Sequence, residues 1–108
     1  MTTNKIKEAP LTNVARNDQG NWYVYIVQCV DQTFYTGITT DYTRRVHEHN
    51  YSNVAAKYTR VRRPVTLVYK ETVDDRSQAL KREIEIKRLS KPQKARLISL
   101  AAEQDQVS

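Results

Sequence analysis

Glu83 stands in a segment whose apolar residues, Ala79, Leu80, Ile84 and Ile86, recur at helical spacing. Projected at about 100° per residue they form an apolar arc, with Glu83 near its middle, Lys87 beside it and Glu85 pointing to solvent. A carboxylate on such a face is costly unless it is paired or bound to a cation. Two chemistries fit: an i, i+4 ion pair with Lys87, contributing a few tenths of a kcal/mol, or a ligand for a hard metal ion. The same projection separates the two arginines of YTRRVHEHN, putting Tyr42, Arg45, Val46 and His49 on the core side and Thr43, Arg44 and His47 elsewhere. An inward arginine either snorkels to solvent or serves a buried anion. His49, one turn beyond Arg45, suits a proton relay or a phosphate contact, and equally a ring packed against a sheet.

Seven of the nine aromatic residues are tyrosines. A phenol packs, donates and accepts, and it acts as a base only where neighbouring cations draw its pKa down from about 10. For one tyrosine in a strand, packing with a hydrogen-bonded hydroxyl is the ordinary role. Tyr25 and Tyr35 both fall in strand-like segments, so neither is assigned a reaction by its own surroundings.

The charge balance narrows the partners. Eighteen Lys and Arg against twelve Asp and Glu give a formal net charge of +6 and a pI near 9.6, which attracts polyanions, nucleic acid foremost. The cations gather in two places: Lys57, Arg60, Arg62 and Arg63 in one loop, and Lys87, Arg88, Lys91 and Lys94 near a helix boundary. Tyr51 and Tyr58 lie within the first group, and rings beside cations suit bases as well as phosphates. A generally solvated basic surface is the plainer alternative. The lone Cys29 excludes a disulfide framework and a thiolate zinc cluster, and points to a reducing compartment. No apolar run resembles a signal peptide or spans a bilayer, so a cytoplasmic protein is expected.

The elements that must position these residues follow from pattern. With 108 residues, one compact domain is expected, over 20–104, between a flexible tail at 1–19 and a short tail at 105–108. WYVYIVQCV, Trp22 to Val30, reads as a strand buried on both faces. Asp31 and Gln32 break it before a second strand from Thr33 to Gly37, the two forming a hairpin. Thr39, Thr40 and Asp41 offer caps for a helix from Tyr42 to Asn50. Tyr51 to Arg63 shows no periodicity. Pro64 opens a third strand, VTLVYKETV; Asp74 or Asp75 caps a helix from Arg76 to Leu89, and Ser90 caps a last one from Lys91 to Glu103. The expected fold class is α/β (α+β): a small antiparallel three-stranded sheet flanked by helices, in the order β-β-α-β-α-α.

Taken in order, Tyr23-Val24-Tyr25, then Tyr35-Thr36-Gly37 ten residues after Tyr25, then Arg45 ten residues after Tyr35, then Glu83 on a downstream helix, resemble the GIY-YIG nuclease superfamily. The likeness runs from about Asn21 to Leu100. The wording YTGITTDYTRRVHEH, AKYTRVRRPVTLVY and ALKREIEIKRLSK is most similar to the small, single-domain bacterial members, the YhbQ-like group. Two departures stand out: Tyr23 replaces the leading glycine of the first motif, and NYSNVAAKYT lacks a glycine usual in close relatives.

The resemblance implies a metal-dependent endonuclease that hydrolyses phosphodiester bonds in DNA or RNA, with a place in DNA repair or processing. It implies Tyr25, Tyr35, Arg45, His49 and Glu83 as catalytic residues, Glu83 holding Mg²⁺ or Mn²⁺. Within that reading Tyr25 is favoured as the base and Tyr35 as its partner in placing water. Gly37, Lys57, Arg60, Arg62, Arg63 and Lys87 are expected to meet the nucleic acid, and no protein partner is indicated. The competing reading is a binding module that uses the same basic surface and cuts weakly or not at all.

Overall fold

The computed structural model describes residues 21–107, so the tail expected at 1–19 lies outside the described residues. Strand β1, Trp22–Gln28, pairs antiparallel on both sides. Its neighbours are β2, Phe34–Thr39, and β3, Thr66–Val73, giving the order β2-β1-β3. The middle position explains the unbroken apolar run: Val24, Tyr25, Ile26 and Val27 are all buried because both faces of this strand are covered. The β1–β2 hairpin closes through Cys29 and Thr33, whose backbones bond at 2.8 Å, with Gln32 at φ 73°. Left-handed backbone is unusual for a residue other than Gly, Asn or Asp, so Gln32 holds this turn at some conformational cost.

Helix α1, Tyr42–Tyr51, starts on Asp41, whose carboxylate accepts the Arg44 amide at 3.0 Å. A one-turn helix α2, Lys57–Arg60, occupies the stretch that showed no periodicity; four residues are too few to display any. Helix α3, Arg76–Lys87, starts on Asp75, which accepts from Gln78. Before α4, Lys91–Val107, Ser90 and Gln93 exchange side-chain and backbone bonds as a capping box. The last helix therefore runs through positions 105–107, where a tail was expected.

The observed order is β-β-α-α-β-α-α, an α+β fold with an antiparallel three-stranded sheet, as the pattern led one to expect, plus the short α2. Alternation along β1 sends its side chains to two different cores. Val24 and Ile26 pack with Ala79 and Ile86 of α3, joined by Leu97 and Ile98 of α4. Tyr25 and Val27 pack on the other side with Cys29, Val65, Tyr35 and Val46 of α1. Ile84, expected on the apolar arc of α3, is instead 49% exposed. It lies well round the helix from Ala79 and Ile86, which are the buried residues of α3 and fix its inner face.

Candidate active site

Tyr25 enters the site from the central strand and His49 from the last turn of α1. Both are essentially inaccessible, and the Tyr25 hydroxyl lies 2.7 Å from His49 Nε2. His49 Nδ1 is in turn 2.7 Å from the hydroxyl of Thr59 on α2, which donates to the Ala56 carbonyl at 3.0 Å. A phenol, an imidazole and an alcohol thus form one buried chain of hydrogen bonds, with each polar group paired as burial requires. The ring of Tyr35 packs edge-on to His49 at 5.3 Å and stacks against Tyr58 at 6.2 Å.

Gly37 makes room for this arrangement. It faces Tyr25 across the β1–β2 ladder, and a Cβ there would come within 2.6 Å of the Tyr25 hydroxyl and 2.8 Å of its ring. The glycine is required by close approach. It admits the tyrosine, a requirement separate from the nucleic-acid contact expected of it.

The division of the two α1 arginines is plain in their exposure, 56% for the Arg44 side chain against 23% for Arg45. Arg45 Nη1 donates to Glu48 at 2.8 Å and to the Val54 carbonyl at 3.2 Å. Burial is the largest single influence and works against its charge, but the interactions with Glu48 and Tyr25 together outweigh it and leave the pKa raised.

Electrostatics set the resting protonation. Burial pushes the Tyr25 phenol up to about 12; the Arg45 guanidinium opposes this without cancelling it, while the charge of Glu83 adds to the rise. Burial also drives His49 down to about 4, assisted by Arg45 and opposed by Glu48. At neutral pH the pair is a phenol beside a neutral imidazole. Tyr25 is therefore not ionised in advance, and any base chemistry requires its proton to leave as another arrives.

Glu83 projects from α3 with its side chain 17% exposed and bonds Lys87 at 3.2 Å. Of the two alternatives at the level of sequence, the ion pair with Lys87 is formed, on a carboxylate that is mostly buried. Its oxygen donors are of the kind a hard cation takes, and Glu48 is paired with both Arg45 and Arg44. The described residues contain no cluster of three or more His, Cys, Asp or Glu. A cation held by Glu83 would take its remaining ligands from water and substrate oxygens, as Mg²⁺ ordinarily does. Beside it, Lys87 lines a shallow depression with Tyr35, Thr36 and Tyr58, and the buried Thr36 hydroxyl has no hydrogen-bond partner among the described residues.

The expected nucleic-acid contacts divide. Lys57 and Arg60 are exposed on α2, and Lys87 is half exposed. Arg62 is occupied: it pairs with Asp31 at 3.1 Å and covers the Tyr58 ring at 3.8 Å. Arg63 turns inward to the end of α1, donating to the carbonyls of His49 at 2.6 Å and of Ser52. A cation there satisfies carbonyls left over at a helix C-terminus, so its role in the fold is structural. Thr59 was not among the sequence candidates, because a threonine in an aperiodic stretch gives no signal until the chain folds back on α1.

Sheet, helices and this pocket define a class. Residues 21–96 match the GIY-YIG catalytic domain family. The chain belongs to that family, whose fold is a nuclease fold. Within it the chain is a small member of the UPF0213 group. It is 59% identical over 81 residues to the UPF0213 protein DP2720 of Desulfotalea psychrophila, covering 75% of this chain and 74% of that one. It is 52% identical over 77 residues to the UPF0213 protein SSP2268 of Staphylococcus saprophyticus, covering 71% and 93%. The solution NMR structure of EF2693 from E. faecalis superposes with a TM-score of 0.52 at 40% identity, over 76% of this chain and 88% of that one. Among the described residues no helix is long and apolar enough to cross a membrane.

Proposed function

We propose that this protein is a divalent-metal-dependent endonuclease that hydrolyses phosphodiester bonds in DNA. The observation that carries the reading is the buried Tyr25–His49 hydrogen bond of 2.7 Å, with Arg45 acting on the same phenol. A packing tyrosine is satisfied by any acceptor, whereas a tyrosine that must exchange its proton is served by one that can also take the proton, as an imidazole can. Membership of a nuclease family and a formal charge of +6 support a polyanionic substrate.

In this mechanism Arg45 clamps the scissile phosphate through the remaining Nε and Nη2 edge of its planar fork, while Glu48 and the Val54 carbonyl hold Nη1 in place. Tyr25 accepts a proton from the attacking water, and His49 takes the phenol's own. Tyr35 walls the pocket and helps to seat the water. Glu83 is the residue that would hold Mg²⁺ or Mn²⁺, which when bound neutralises charge on phosphoryl oxygens and eases departure of the leaving oxygen. Lys57, Arg60 and Lys87 supply contacts to neighbouring phosphates.

The test is Mg²⁺-dependent nicking of labelled DNA and RNA by the full chain, with Glu83→Ala as control. The variant is expected to lose activity by about 100-fold or more while its melting temperature stays within a few degrees, as removing one stabiliser of transition-state charge does. Equal cutting by both proteins would mark a contaminant. It would leave a nucleic-acid-binding module as the better account.

A further inference from the structure

The Tyr25–His49 bond can run in two directions, and only one helps a base. If Nε2 carries the imidazole proton, it donates to the phenol oxygen and has no lone pair with which to take the phenol's own proton. If Nδ1 carries it, Nε2 is a bare acceptor and the phenol donates. Which form is present depends on what faces Nδ1.

Thr59 faces it. Its side chain is wholly buried, and its hydroxyl has one proton. The Thr59 hydroxyl donates that proton to the Ala56 carbonyl 3.0 Å away, which also accepts the amides of Thr59 and Arg60. Toward His49, 2.7 Å distant, the Thr59 oxygen therefore offers a lone pair, and Nδ1 must be the donor. A neutral imidazole has one N–H, which leaves Nε2 open to Tyr25. We propose that Thr59 is a positioning residue: through the Ala56 carbonyl it fixes His49 in the Nδ1–H form, so that Nε2 accepts the phenolic proton of Tyr25.

The catalytic half of this inference rests on the nuclease reading above. As water gives a proton to the Tyr25 oxygen, the phenol's own proton passes to Nε2. One O–H bond of water and the original phenol O–H break, while a new phenol O–H and an Nε2–H form. The electron pair left on the water oxygen makes the new bond to phosphorus, and the departing oxygen leaves with the pair of the bond that breaks and is protonated from solvent. The imidazolium keeps its Nδ1–H on Thr59 and afterwards returns the other proton through Tyr25. No group in the chain has to turn over, because Thr59 accepts from Nδ1 throughout.

The experiment is ¹⁵N NMR of the histidine ring nitrogens in the full chain, together with cleavage kinetics, for the wild type, Thr59→Ser and Thr59→Val. In the wild type at neutral pH, His49 is expected to show a protonated Nδ1 and an unprotonated Nε2. Thr59→Ser keeps the hydroxyl and should keep both that pattern and kcat. Thr59→Val keeps the shape without the acceptor; the Nε2–H form should appear and kcat fall by about tenfold or more, within what general-base help contributes, with KM little changed. An Nε2–H imidazole in the wild type overturns the inference, and needs no variant to fold. Wild-type tautomer and kcat in a folded Thr59→Val protein overturn it as well. Should the wild type cut nothing while the Nδ1–H form is found, the nuclease reading and the relay fall together and the tautomer assignment to Thr59 stands.

Discussion

On the side of α3 and α4 the sheet buries Val24, Ile26, Ala79 and Ile86, a core held by contact area. On the side of α1 and α2 the buried side chains include Tyr25, His49 and Thr59, joined by directional bonds of 2.7 Å. Both sides descend from the same strand, one residue out of phase. The apolar side tolerates shape change at a graded cost in stability; the polar side has one satisfied arrangement, and any partner removed leaves another buried and unpaired. One face of β1 is thus held by contact area and the other by directional pairing, the face on which the proposed chemistry lies.

Four substitutions or conditions would break or sharpen that contrast. The largest effect is expected from Tyr25→Phe, which keeps the ring and deletes the hydroxyl: nicking should drop by about 10²-fold or more, with the fold retained by circular dichroism. Near-normal cutting would remove Tyr25 from the chemistry. Ile86→Ala, on the opposite face, should lower unfolding free energy by about 2–5 kcal/mol in urea titrations while leaving kcat of the folded protein nearly unchanged. A variant as stable as the wild type would show that this face is not the main core.

Gly37→Ala crosses the divide. The new methyl must displace the Tyr25 hydroxyl, so a stability loss of about 1–3 kcal/mol should accompany a fall in activity. Full activity would mean that the Tyr25 position is less constrained than the close packing implies.

The smallest effect is one of pH. His49 titrates at about 4 when folded against 6.5 as an ordinary histidine, so the unfolded chain takes up a proton that the folded one refuses. Its contribution is complete above about pH 6.5 and is lost as pH falls from there to about 4. Arg45, Glu48 and Arg63 are the charged neighbours acting on it. Urea midpoints followed from pH 7.5 to pH 4.5 should fall more steeply for the wild type than for His49→Asn, and equal slopes would contradict a buried neutral imidazole.

Much of this was legible from residues alone. The run around Val24–Val27 marks a central strand by lacking alternation, and Asp41, Asp75 and Ser90 mark three helix starts by their capping chemistry. The inward turn of Arg45 and His49 follows from helical phase. Less legible was everything decided by distant contacts. Arg63 reads as one more surface cation, and only the return of the chain to α1 makes it a helix cap. Gly37 reads as a ligand contact until the Tyr25 ring is seen over it. Thr59 has no local signature at all, since its partner is ten residues back on another helix.

One last consequence follows from how the segment between α1 and β3 is anchored. Asn50 grips the backbone of Val65 through both its amide atoms, at 2.7 and 3.0 Å, while Arg63 binds the end of α1. The excursion from Ser52 to Arg62 is thereby stitched shut at its base like the neck of a bag. On its outer rim the side chains of Val54 and Val61 are exposed, so substitution there should leave the seam undisturbed. The surface at those two valines is thus decoupled from the buried thread through Thr59.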